Sequence, residues 1–201
     1  MVYPAGRLGA RYHDPTTHQR IAMNRLLCIP ALLALALVAR AEVASGPKAG
    51  DKVEDFKAFG VVGAIEGKEG SYVAERKGEP TVFVFVQQEH WSRPMARLLK
   101  TLDTDAKAAD EKAVVVAVWL TEKPDAAKEY LPKAQMSLSF ANTSLGVFEG
   151  DKTGPNNWGI NVDAHCTVVV TRGGKVVESI ALQSVNETDA KKVVEALKKA
   201  K

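Results

Sequence analysis

The stretch Thr81-Val82-Phe83-Val84-Phe85-Val86, followed after four polar residues by Trp91-Ser92-Arg93-Pro94-Met95, decides how this chain folds. A run this rich in β-branched and aromatic residues, with no polar alternation, predicts a central strand covered on both faces. The residues from Ser92 onward read as the opening of a helix. Ser92 is a favourable N-cap, and Pro94 falls in the first turn, where its missing N–H costs little. Met95, Leu98, Leu99 and Leu102 then recur at helical spacing, which predicts a helix over 92–109 with one apolar stripe.

Working outward, residues 113–120 (Ala-Val-Val-Val-Ala-Val-Trp-Leu) form a second buried strand, with Trp119 a core residue. A helix is expected over 124–136, a third strand within 137–147, and a polar loop with one helical turn over 150–159. Residues 167–171 and 175–181 predict a hairpin closed at Arg172-Gly173-Gly174. An amphipathic helix over 187–200 turns Val193, Val194 and Leu197 inward and leaves Lys191, Lys192, Lys198 and Lys199 as a solvated face. Toward the N-terminus, 56–63 and 71–75 predict two short strands, set off from the central one by Lys77-Gly78-Glu79-Pro80. Strands alternating with helices and ending in hairpin plus helix give an α/β fold, a central mixed β-sheet flanked by helices.

The beginning of the chain reads differently. Met23-Asn24-Arg25, the apolar run 26–38 and Ala39-Arg40-Ala41 have the form of a secretory signal peptide. At about 13 residues the run is too short to span a bilayer. Residues 1–22 are then a disordered extension or result from a mis-chosen start, 23–41 the signal peptide, 42–49 a linker and 50–201 the domain. The expected compartment is the periplasm or the exterior, with no stable membrane anchor after cleavage. The whole chain carries 27 Lys and Arg against 24 Asp and Glu. The first 41 residues hold five of those bases and one acid, so the remainder has a formal charge of about −1. No basic stripe interleaved with aromatics survives, and nucleic acid is excluded as an expected partner. Cys28 leaves with the leader. Cys166 is then alone, without an internal disulfide partner.

Three stretches carry a resemblance to the redoxin branch of the thioredoxin-like superfamily, the group of alkyl hydroperoxide reductase-like and TlpA-like proteins. Gly50-Asp51 through Asp55-Phe56 resembles the family's opening G-D-x-x-P-D-F, with Glu54 at the proline. Trp91-Ser92-Arg93-Pro94-Met95 stands where the family has Trp-Cys-x-Pro-Cys. Trp158-Gly159-Ile160, Cys166-Thr167 and Gly174-Lys175-Val176-Val177 resemble the family's aromatic-G-V, cis-Pro-Thr and G-K-V-V ending. The resemblance implies a thioredoxin-like fold and a thiol oxidoreductase or peroxidase ancestry tied to cell redox homeostasis. It also implies that the loop after the first buried strand and the loop before Thr167 lie side by side. Ser92 and Met95 replace both sulfur nucleophiles: a serine hydroxyl hardly ionises, and a thioether forms no disulfide.

Glu89, His90, Ser92, Asp163, His165 and Cys166 are therefore expected at one rim, and three functions compete for it. The leading one is a binding or accessory module, inactive in thiol–disulfide exchange, that meets a protein partner through His90, Trp91, Ser92, Arg93, Pro94, His165 and Cys166 and needs no cofactor. The second is a metal-handling protein with copper or zinc on Cys166, His165 and His90. The third is a single-thiol redoxin or peroxidase using Cys166. His165 and Cys166, adjacent on an extended segment, are expected to point to opposite faces. Trp91 is read either as an exposed contact or as packing on the helix end. Asn142-Thr143-Ser144 and Asn186-Glu187-Thr188 match the glycosylation acceptor pattern.

Overall fold

The computed structural model describes residues 43–199. The expected extension, signal peptide and Cys28 lie outside the described residues, as does the first linker residue. Seven strands form one sheet: β1 (Ala58–Val62), β2 (Glu69–Gly70), β3 (Thr81–Gln87), β4 (Val114–Leu120), β5 (Thr143–Phe148), β6 (Cys166–Arg172) and β7 (Lys175–Leu182). Their order is β2-β1-β5-β4-β3-β6-β7. β3, β4 and β5 run parallel; β6 is antiparallel to β3, β7 to β6, and β1 to both β5 and β2. The sheet is mixed, as expected.

β3 sits between β4 and β6 with every residue buried, which is why its sequence shows no alternation. Its side chains divide the core in two. Val82, Val84 and Val86 face α2 (Arg93–Ala109), α3 (Pro124–Leu138) and α4 (Ala190–Lys199), meeting Met95, Leu98, Leu99, Leu131, Val193 and Leu197. Phe83 and Phe85 face the other way, onto Phe56, Tyr72, Trp158 and Ile160. That second layer is closed by α1 (Tyr72–Arg76) and by non-helical segments. The N-terminal segment is stitched to the end of the sheet: Gly50 N–H donates to Val176 O at 2.8 Å, and Val176 N–H donates to Asp51 O at 2.9 Å.

Several boundaries differ from expectation. Residues 71–75 are not a strand: Ser71 caps α1, its Oγ accepting the Ala74 N–H at 2.9 Å, and Lys77 ends the helix in the left-handed region at φ 50°. A five-residue helix is too short to show a 3.6-residue period, so its alternation mimics a strand. α3 continues to Leu138, two residues past the expected end, and Ser139 terminates it at φ 49°; the third strand, Thr143–Phe148, starts inside the expected range and runs one residue beyond it. The 150–159 loop contains turns and no helix. The last helix begins as a 3₁₀ turn, Glu187–Asp189, fixed by a reciprocal Asn186–Asp189 capping box. Asn186 is thereby an exposed cap, whereas the Asn142 carboxamide donates to Ala113 O at 2.8 Å.

Candidate functional site

β3 ends at Gln87, whose N–H donates to His165 O at 3.1 Å, so the backbone itself joins the loop after β3 to the loop before β6. From there Gln88–His90 makes one 3₁₀ turn, with Trp91 N–H returning to Gln88 O at 3.1 Å. Ser92 occupies the N-cap of α2 in an extended conformation, but its hydroxyl makes no capping bond, contrary to expectation. The first turn is held instead by Ala96 N–H to Ser92 O at 2.9 Å and by Pro94. Ser92, Arg93 and Pro94 are exposed. Met95 is fully buried beneath them.

His90 and His165 meet across the two loops. Their rings stack at 3.6 Å between centroids and 15° between planes. Burial, and secondarily the His90 charge, hold the His165 imidazole below the ordinary value of 6.5. Glu89 Oε1 lies 4.0 Å from His90 Nε2. Asp163, by contrast, closes its own turn, its N–H donating to Asn161 Oδ1 at 2.9 Å.

Cys166 does not join them. It opens β6 opposite Val86 and points into the helix-side core, fully buried, while His165 is part-exposed beside it. This is the alternation expected of an extended pair. Burial, with a smaller contribution from Asp189, pushes the Cys166 thiol up to about 12. The proposed ligand set Cys166, His165 and His90 is thus split between core and surface. Among the described residues no three His, Cys, Asp or Glu side chains are placed to hold a metal ion. The peptide bonds of the described residues are trans, including the one before Cys166.

Trp91 is neither fully exposed nor packed on the end of α2. Its half-buried ring packs against Trp119 at 5.0 Å and 58°, and its Nε1–H donates to Tyr130 Oη at 2.8 Å on the surface of α3. Trp119 itself is 1 % exposed, as expected of a core residue.

Beside this rim is an arrangement that sequence reading missed. Lys152 Nζ bridges Glu89 and Glu122, both at 3.2 Å, and Lys152 O accepts from Gln87 Nε2 at 2.9 Å. Lys152, Glu89 and Glu122, with Gln88, Thr121 and Lys123, border an open cleft of about 320 Å³ at the C-terminal ends of β3 and β4. No local pattern announces it, because Lys152 lies 63 residues from Glu89.

The sequence matches no protein-family model, and no curated protein is similar to it. Solved structures do resemble it. Peroxidoxin BcpB from Mycobacterium tuberculosis superposes with a TM-score of 0.57 at 17 % identity, over 77 % of this chain and 98 % of that one. A putative thiol:disulfide interchange protein DsbE from Chlorobium tepidum gives 0.53 at 20 %, over 75 % and 98 %. The pneumococcal exposed lipoprotein thioredoxin from Streptococcus pneumoniae gives 0.51 at 19 %, over 71 % and 98 %. Identities this low carry architecture and not chemistry. Seven mixed strands among the described residues, the strand–Trp-x-x-Pro–helix entry and these likenesses agree on one conclusion: the chain has the thioredoxin-like fold.

Proposed function

We propose that this is an exported protein of thioredoxin-like fold that carries out no thiol–disulfide exchange and serves as a binding or accessory module. Its contact surface is the rim of His90, Trp91, Ser92, Arg93, Pro94 and His165, offered to a protein partner. The observation that carries the reading is the position of Cys166. A thiol with no exposed surface and a pKa near 12 is protonated at neutral pH and out of reach of a disulfide or a peroxide. Ser92 and Met95, at the two places where the resemblance puts cysteines, supply no replacement nucleophile. The rim, in contrast, offers what recognition surfaces use: a half-buried tryptophan held by a hydrogen bond, two imidazoles and an exposed arginine. Export is supported by the expected leader. It is also compatible with the described helices, none of which is long and apolar enough to cross a membrane.

The test is direct. Purified protein is expected to reduce insulin and consume peroxide no faster than its Cys166→Ala variant, with both at the uncatalysed background. In the same preparation iodoacetamide should leave native Cys166 unmodified at pH 8 and label it fully in guanidinium. An enzyme-like rate abolished by Cys166→Ala, or rapid alkylation of the folded protein, overturns the proposal.

A further inference from the structure

Two loops distant in sequence touch through their side chains at one place on the rim, the face-to-face rings of His90 and His165, 3.6 Å apart and 15° from parallel. A neutral pair stacks well, and so does one imidazolium on one imidazole. Two imidazolium rings at that distance repel, and in a part-buried position water screens them poorly. We infer that this stack is an acid-opened clasp: it holds the loop after β3 against the loop before β6 while at most one ring carries a proton, and releases when both do.

The charged groups around the stack are few. Glu89 Oε1 lies 4.0 Å from His90 Nε2, and its other oxygen is engaged by Lys152 at 3.2 Å. The exposed Arg93 at the start of α2 and the exposed Asp163 in the loop before β6 are the remaining charged groups of the two flanking segments. Asp189, in the turn before α4, acts on Cys166. A proton on His165 is opposed by burial and, secondarily, by a charge on His90. Opening leaves the backbone bond from Gln87 to His165 O as the remaining link. It therefore frees the two imidazole side chains without unpairing β3 from β6, while Trp91 stays held by Trp119 and Tyr130. The clasp rests on the geometry of the two loops and stands whether or not the rim binds a partner.

The experiment is a histidine titration of the full chain by ¹H–¹³C NMR from pH 8 to pH 4.5, with EDTA present so that shifts report protons. Wild type is compared with His90→Gln, His165→Gln and His90→Phe. In wild type, His165 should titrate below about 6.5, and the mutual ring-current shifts should vanish in that same step. In His90→Gln, His165 should rise toward about 6.5. His90→Phe keeps a stacking ring that takes no proton, so its ring-current shift on His165 should persist to pH 4.5. Identical His165 titration with and without His90, or wild-type ring-current shifts that persist to pH 4.5 in folded protein, overturns the inference.

Discussion

Asp103→Ala is expected to lower the unfolding free energy by about 3–4 kcal/mol, measured by guanidinium denaturation at pH 7. Asp103 lies on the buried face of α2, its side chain 2 % exposed. Its carboxylate accepts from Ala141 N–H at 3.0 Å, Asn142 N–H at 2.7 Å and the Thr143 hydroxyl at 2.7 Å, with Lys100 Nζ at 3.5 Å. It thereby fixes the turn that leads from α3 into β5. Alanine leaves three donors without an acceptor, each costing about 1–3 kcal/mol if it stays dry, less where the turn relaxes toward water. Asp103→Asn preserves shape and one acceptor and should cost about half as much. Burial pushes this carboxyl up, but the hydrogen bonds and Lys100 together outweigh it and hold the group below its ordinary value of 3.8. The folded state therefore binds its proton less readily than the unfolded chain. The stabilisation is fully present above about pH 4 and is lost as pH falls through the depressed folded value. Denaturation of wild type at pH 3 and pH 7 should show a steeper acid loss than that of Asp103→Asn; equal slopes would remove Asp103 as the cause.

Trp158→Ala should cost about 3–5 kcal/mol and most of the near-ultraviolet circular dichroism. The indole stands at the centre of the sheet's second face, edge-on to Phe56, Phe83 and Phe85 with ring centroids at 5.1, 5.2 and 5.0 Å. Its Nε1–H donates to Glu54 O at 3.1 Å, which anchors the N-terminal segment to the 154–160 loop. Among the described residues only the five-residue α1 and non-helical segments close this face, so the cavity left by alanine is filled chiefly by loop movement. Trp158→Phe keeps the aromatic contact, loses the anchor bond, and should cost about 2 kcal/mol. A change below 1 kcal/mol for Trp158→Ala would mean that the second layer does not contribute to folding.

The sequence reveals those parts of the molecule that local periodicity determines. β3, β4 and the β6–β7 hairpin follow from unbroken apolar runs and the Gly173-Gly174 turn, and α2 from the spacing of Met95, Leu98, Leu99 and Leu102. The split between His165 and Cys166 follows from the two-residue period of extended chain. The hidden features depend on residues that meet only after folding. Trp91 and Tyr130 are 39 positions apart, and Asp103 and Thr143 are 40. The stacking of His90 on His165 needs the β3–β6 pairing to bring the loops within reach. α1 escaped for a different reason: its Ser71 cap and left-handed Lys77 are local, but five residues between them show no helical stripe.

Met95 has a consequence for the adaptive options open to this protein. The two positions of a Cys-x-x-Cys pair are unequal here. Ser92 faces solvent at the first turn of α2, and a cysteine there disturbs nothing packed. Met95 is wholly enclosed among the residues joining α2 to the sheet, and a cysteine there is smaller and leaves a void. A lineage or an engineer adding redox chemistry therefore passes through a single exposed thiol at Ser92 before a dithiol, and meets a packing barrier at the second step. Packing therefore opposes the second substitution and leaves the first free.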